Sequence, residues 1–239
     1  MSGGWTAKRF WKTAEVAPAE GGWTVTLDTR PVRTPAKSAL VVPTRALAQA
    51  VAAEWAAQDK VIDPLSMPYT RSANAAIDKV AVQQPEVADM LAAYGDSDLL
   101  CYRADSPEEL VSRQAAAWDP LLDWAAQDLG ARLEPRTGIM HTPQDPDALA
   151  RLSGQVHALT AFELAGFHDL VAISGSLILG FAVARKRLSA EAAWDISRID
   201  EHWQEEQWGE DDEAKTMAAH KREAFEHADR FFALSRSAQ

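Results

Sequence analysis

Apolar and polar residues alternate from Trp23 to Asp28: Trp23, Val25 and Leu27 against Thr24, Thr26 and Asp28. A period of two marks a strand with one buried face. Thr29-Arg30-Pro31 breaks the run and predicts a turn. Phe10-Trp11 before it and Ala39 to Val42 after it read as further strands, so three or four short strands are expected to share one buried face.

After Pro43 the period lengthens. Thr44 is placed to cap a helix that carries Leu47, Val51 and Trp55 at i, i+4 and i+8. Asp63-Pro64 to Met67-Pro68 predicts an extended link, because a residue before proline is pushed out of the helical region. Thr70 is expected to cap the next helix, and Pro85 to open another that reaches Gly95. Ser106-Pro107-Glu108-Glu109 reads as a helix start with Ser106 as cap and Glu109 closing a capping box. Pro120 is expected to kink that helix or restart it, and Gly130 to end it. Residues 131–146 read as a loop with room for one short strand. Further helices are predicted from Asp145 to about Ala165, broken by Gly166, then over 168–187, from Ser189 to Trp208, and over 211–234 after Gly209. No repeat of 20–50 residues is present.

The pattern therefore predicts an α+β chain, with a small α+β N-terminal domain over 1–70 and a helical C-terminal domain over 71–239. Composition alone places the boundary between 60 and 100. With 239 residues, 47% of them hydrophobic and 25% charged, the chain is an ordinary globular one that needs no disulfide or metal to hold it. The single cysteine, Cys101, reads as a small buried hydrophobe.

Charge narrows the function. The net charge of −11 disfavours nucleic acid and anionic membranes, since both are held by released counterions and basic patches. The longest apolar run, Leu170 to Ala184, falls short of the roughly 20 residues of a membrane span and reads as a core helix. The N-terminus, Met1-Ser2-Gly3-Gly4-Trp5, carries neither an apolar export segment nor an Arg-rich presequence. Nothing in it marks the chain for export or organelle import.

Catalytic chemistry is hard to find. Ser174-Gly175-Ser176 lacks the flanking pattern of a nucleophile elbow and reads as small residues packed inside an apolar helix. His157, His168, His202, His220 and His227 show no metal-binding spacing. No metal, cofactor or catalytic residue is assigned. The one dense feature is acidic. Residues 191–213 hold Glu191, Asp195, Asp200, Glu201, Glu205, Glu206, Glu210, Asp211, Asp212 and Glu213 against Arg198 alone, which is −9 of the chain's −11. A solvated helix face with an acid-rich first turn explains part of this. Trp194, Trp203 and Trp208 lie in the same window, and aromatic anchors among like charges suit a recognition surface better. Trp203 and Trp208 are expected to be partly exposed, and Trp55, Trp118 and Trp124 to be core.

The motifs resemble a known family. Asp28 to Lys37 (DTRPVRTPAK), Glu54-Trp55 with Gln58, Ile62-Asp63-Pro64, Met67-Pro68-Tyr69-Thr70, Asp98 to Ala104 (DLLCYRA), Gln114, and Trp118 to Leu122 follow one another in order. Arg198-Ile199-Asp200-Glu201, Gln207-Trp208-Gly209 and Asp212-Glu213-Ala214 complete the match. In order and spacing this is similar to the assembly chaperones that bind the alpha subunit of the F-type ATP synthase catalytic sector, a mitochondrial and alphaproteobacterial family. The resemblance implies a two-part fold, no catalysis and no cofactor, and an unassembled alpha subunit as partner. It places the family's important acid at Glu201 and, with no presequence at the N-terminus, implies a bacterial cytoplasmic member, or a mitochondrial matrix one whose presequence has been removed. Asp200, Glu201, Trp203, Trp208 and Gly209 form the expected partner-binding set, and Trp55 is a structural residue. Glu210-Asp211-Asp212-Glu213 departs from the aromatic and His-Asp residues usual after the W-G pair. The competing readings are a small-molecule hydrolase using acids near Glu201 and a generic interaction domain.

Overall fold

The computed structural model describes residues 8–138 and 140–236. The chain divides into two compact units. Residues 8–84, 160–165 and 230–236 form the first, and residues 85–159 and 166–229 the second. The α+β class expected from the sequence is what the structure has.

The first unit is built on a small antiparallel sheet. Strand β1 (Ala14–Ala19) pairs with β2 (Gly22–Leu27) along its whole length, from Ala14 opposite Leu27 to Ala19 opposite Gly22. The far side of β2 is shared by β3 (Arg30–Pro31) and β4 (Val41–Val42). The expected strand at Phe10-Trp11 is absent, and β1 comes later. Its sequence, AEVAPA, has no strong alternation because no residue in it is fully buried. It is an edge strand, where Pro18 and its missing N–H are tolerated. Trp11 instead plugs the core: its indole N–H donates to the Trp55 carbonyl at 3.3 Å, and the two rings meet edge to face at 5.2 Å.

Helix α1 (Arg45–Ala57) starts as expected, with the Thr44 hydroxyl accepting from the Leu47 N–H at 3.0 Å. Leu47, Ala48, Val51 and Ala52 are buried and belong to one apolar cluster with Val25, Leu27, Leu40 and Phe231. The link to α2 (Pro68–Asp78) is not extended. Pro64–Ser66 forms a 3-10 turn, because the Asp63 carboxylate accepts from the Leu65 N–H and the Gln58 side chain ties Asp63 to Ser66. Thr70 does not cap α2 either. The cap is the Glu54 carboxylate reaching across from α1, which accepts from the Tyr69 and Thr70 N–H groups and the Thr70 hydroxyl at 2.6–2.7 Å. Burial pushes the Glu54 carboxyl up, against the pull of those donors.

The second unit is helical. Helix α3 (Gln84–Ala92) leads through two 3-10 turns to β5 (Tyr102–Arg103), which pairs in parallel with β6 (Arg136–Thr137). Only β6 lies where a late strand was expected. Helix α4 (Glu108–Asp128) runs through Pro120 without ending. Its buried stripe of Gln114, Trp118, Leu121, Leu122 and Ala125 outweighs the proline's local cost. Ser106 does not cap it. Pro107 occupies the cap position, and the Ser106 hydroxyl turns to Asp105.

The helices that follow are shorter than their apolar periodicity suggests. Helix α5 (Pro146–His157) stops early, and α6 (Ala161–Ser174) starts at a capping box. There the Thr160 hydroxyl accepts from the Glu163 N–H at 3.3 Å, and the Glu163 carboxylate accepts from the Thr160 N–H at 2.8 Å. Gly166 therefore lies inside α6 and breaks nothing. The expected helix over 168–187 is broken at Gly175, whose φ of +71° suits a residue without Cβ. Helix α7 (Leu177–Ala184) begins anew there and is buried at every position. Asp98 explains the break. Its carboxylate accepts from the Ser176 hydroxyl at 2.7 Å, the Ile178 N–H at 3.0 Å and the Leu100 N–H at 3.0 Å. The Ser176 hydroxyl in turn caps α7 through the Leu179 N–H. Ser174-Gly175-Ser176 is thus a capped junction between helices. Helices α8 (Ala190–Ser197), α9 (Ile199–Trp208) and α10 (Asp212–Ser235) complete the chain.

Two outcomes follow. Trp55→Arg should lose the ring that Trp11 packs on and place a charge beside it, costing about 3 kcal/mol and most of the soluble yield. A native melting temperature in that variant would show that the ring supports nothing. Asp98→Ala should leave three donors without an acceptor and cost roughly 3 kcal/mol in chemical denaturation. Burial pushes the Asp98 carboxyl up to about 6, against the hydrogen bonds that pull it down. Its folded-state value therefore lies above its unfolded one. Its titration favours the native state fully below about pH 4, and that contribution is lost as pH rises through about 6. The stability gap between native chain and Asp98→Ala should widen as pH falls from 7 to 4.

Candidate functional site

The acidic window becomes α8, α9 and the first turn of α10, and most of its carboxylates have defined tasks. Glu191 and Asp195 on α8 lie 3.0 and 4.0 Å from the Arg222 guanidinium of α10. Asp211 caps α10, accepting from the Glu213 and Ala214 N–H groups at 2.8 and 3.0 Å. Asp212 and Glu213 fill the first turn, where the helix dipole favours them. Glu210 pairs with Lys215 at 2.7 Å, and the ammonium holds its carboxyl below the ordinary range.

Helix α9 has two distinct sides. One side meets α4. The Gln114 amide donates to the Asp200 carboxylate at 2.6 Å, the Arg113 guanidinium lies 4.9 Å from the centre of the Trp203 ring, and the same guanidinium holds Glu206 at 2.8 Å. Asp200, Trp203 and Glu206 are spaced i, i+3, i+6 and share this side. Trp203 is only 8% exposed, so the expected partial exposure is wrong. Its indole is covered by Arg113, which the sequence places far away on another helix. One turn earlier the Trp118 indole N–H donates to the Ile196 carbonyl at 3.0 Å and fixes the end of α8.

The other side carries Glu201, Glu205 and Trp208 at i, i+4 and i+7. Glu201 pairs with Arg198 at 2.7 Å, yet its side chain is 41% exposed. Arg198 lies 5.5 Å over the buried Trp194 ring. Trp208 is 78% exposed, as expected for one of the two outer tryptophans. Gly209 stops the helix with φ +91°, its N–H still bonded to the Glu205 carbonyl at 2.9 Å. Met217 on α10 is a further exposed apolar residue. The structure thus separates the expected set: Glu201, Trp208 and Gly209 are outward, while Asp200 and Trp203 are engaged with α4. Gln114, named in the sequence only as a motif residue of the resemblance, and Arg113, which carried no signal there, organise this site. The signal available was the i, i+4 placing of Gln114 and Trp118 on one apolar stripe.

A cleft of about 300 Å³ lies between α8–α9 and α10, with Trp194, Arg198, His202, Glu205, Lys215 and Arg222 among its walls. Glu210 also reaches it, but its lowered carboxyl is shifted the wrong way for a general acid. The two carboxyls shifted upward, Glu54 and Asp98, are consumed as helix caps. Burial pushes the Cys101 thiol up to about 12, which leaves it inert as a nucleophile. Among the described residues no group of three or more His, Cys, Asp or Glu could hold a metal ion, and no helix is long and apolar enough to cross a membrane.

Residues 8–126 match the family described as "ATP12 chaperone protein". The mitochondrial protein atp12 of Schizosaccharomyces pombe is 25% identical over 214 residues, covering 84% of this chain and 74% of that protein. The crystal structure of Atp12 from Paracoccus denitrificans is 53% identical, covers 96% of this chain and 99% of its own, and superposes with a TM-score of 0.94. The Atu1473 protein of Agrobacterium tumefaciens is 42% identical over 97% of this chain and 87% of its own, with a TM-score of 0.91. Identity at this level over nearly the whole length leaves no room for a hydrolase that shares only the acids: the chain belongs to the ATP12 chaperone family, the ATP synthase assembly chaperones that its motifs resemble.

Proposed function

We propose that the chain binds the unassembled alpha subunit of the ATP synthase catalytic sector and shields it from aggregation until beta takes its place. The contact is made by the outer side of α9, through Glu201, Glu205 and Trp208, with Gly209 ending the helix. The observation that carries this reading is Trp208. A tryptophan exposed to 78% at the end of an acidic helix gains nothing from folding, and suits an anchor for a partner.

Charge supports the same reading. The second unit holds 27 Asp and Glu against 12 Lys and Arg, whereas the first holds 8 against 12. The client surface that meets α9 should therefore be basic. A free ring subunit exposes apolar and charged faces meant for its neighbours, and these drive aggregation. A cover that must later leave is best held by rim charge and a few anchors, since charge speeds encounter and favours the right partner without a large dry interface. The proposed site of action is the cytoplasm of a bacterium or the mitochondrial matrix, a reading that the bacterial and mitochondrial relatives support.

Glu201→Lys tests the reading. Glu201 is the solvent-facing half of its pair with the largely covered Arg198, and loss of the pair should cost about 1 kcal/mol, so the variant should keep its circular dichroism spectrum and lose only a few degrees of melting temperature. Its capture of alpha subunit in a pull-down should fall about tenfold or more, because a cation now faces a basic client. A folded variant that keeps alpha soluble as well as the native chain would remove α9 from the interface.

A further inference from the structure

The proposed site depends on which side of α9 faces outward, and one contact decides that. Gln114 is 1% exposed, and both ends of its amide are used. Its oxygen accepts from the Ala104 N–H at 2.9 Å. Only the oxygen can do so, which fixes the amide's orientation and points its NH2 group at α9. There it donates to the Asp200 carboxylate at 2.6 Å. A carboxylate offers only acceptors, so donor and acceptor match in one sense alone.

We infer that Gln114 is a positioning residue for client binding: its bond to Asp200 sets the rotation of α9, turning Asp200 inward and Glu201, Glu205 and Trp208 outward. This rests on the proposed function of α9. A rotation of α9 by one residue, about 100°, would present Asp200 in place of Glu201 and Gln207 in place of Trp208. The Asp-Glu pair at 200–201 offers an acid to either side, so the acids alone do not choose. Trp203 under Arg113 agrees with the chosen rotation one turn later, and Glu206 on Arg113 agrees at i+6. Asp200 is then a register pin, and the charge read by the client is that of Glu201.

The test is a polarity swap in the full-length chain, with melting curves beside binding of purified alpha subunit. Gln114→Glu keeps the acceptor for Ala104 but sets a second carboxylate against Asp200. Binding should weaken about tenfold, with the fold retained. The pair Gln114→Glu with Asp200→Asn restores one donor facing one carboxylate, in the opposite sense, and should regain most of the lost affinity. A residue that merely fills space would not be rescued by that exchange. Gln114→Met, which removes both the donor to Asp200 and the acceptor for Ala104 without adding charge, should also weaken binding and decides the matter if Gln114→Glu fails to fold. Native affinity in either folded single variant, or a folded double variant that stays as weak as Gln114→Glu, would overturn the inference. Glu201→Gln separates the two levels of the argument. If Glu201→Gln binds like the native chain, the outward side is not the client side and both proposals fall. If it is weak while the Gln114 variants bind normally, only the positioning role falls.

Discussion

One buried carboxylate holds the helical unit in its working arrangement. Asp98 has no access to water, and its oxygens accept from the turn that follows it and from the start of α7, some eighty residues on. An unpaired buried charge would cost several kcal/mol, so the site exists only while these donors converge on it. That convergence breaks the long apolar run at Gly175 and seats α7, a helix buried at every position. Helices α4 and α8 both pack on α7, and α9 packs on α4. The family-like segment Asp98 to Arg103 serves the same frame from its other end. Arg103 donates to the Leu100 carbonyl, lies 5.2 Å over the Trp118 ring, and pairs with Asp119 at 2.7 Å. A chain of contacts therefore runs from Asp98 through α4 to the acidic helix.

That chain also explains how so acidic a unit stays folded. Repulsion among the carboxylates of residues 191–213 opposes compaction. The structure counters it by drawing cations from elsewhere in sequence: Arg113 from α4, and Lys215 and Arg222 from α10. Each such pair is exposed and individually weak. Their effect is selective. The acids that face α4 and α10 are neutralised in place, while Asp212 and Glu213 in the first turn of α10 keep the field that a basic partner would meet.

The sequence was most legible where a local rule and the tertiary structure agree. Thr44 capping α1, the alternation of β2, the Ser189 cap and the Gly209 stop all depend on neighbours within four residues. It misled where a distant group supplied what the local rule lacked. Thr70 resembles a cap, but Glu54 had already filled the role from α1. The run from 168 to 187 has the periodicity of one helix, and only Asp98 divides it. Edge strand β1 carries too little buried apolar surface to announce itself. The Thr160–Glu163 capping box is a local signal that the apolar period running through it masks. For the site, the acids and the W-G stop were visible, but the split of α9 into two sides was not. No spacing within 199–208 says that Arg113 will cover Trp203 and leave Trp208 bare.

The contrast between those two tryptophans bears on how a chaperone of this kind can let go. Trp203 is committed to the fold: its ring is covered by a guanidinium that is itself held by Glu109 and Glu206. Trp208, five residues on, is committed to nothing within the unit. A partner that covers Trp208 gains apolar burial without disturbing the contacts that set α9 against α4. Covering one Trp is worth a few kcal/mol at most, and exposed charges add to encounter more than to lasting affinity. On the proposed function, such an interface would shield a subunit face and still yield to a neighbour that buries more area. Keeping the fold's aromatic and the outer aromatic on different sides of one short helix would then let release occur with no conformational cost to the chaperone.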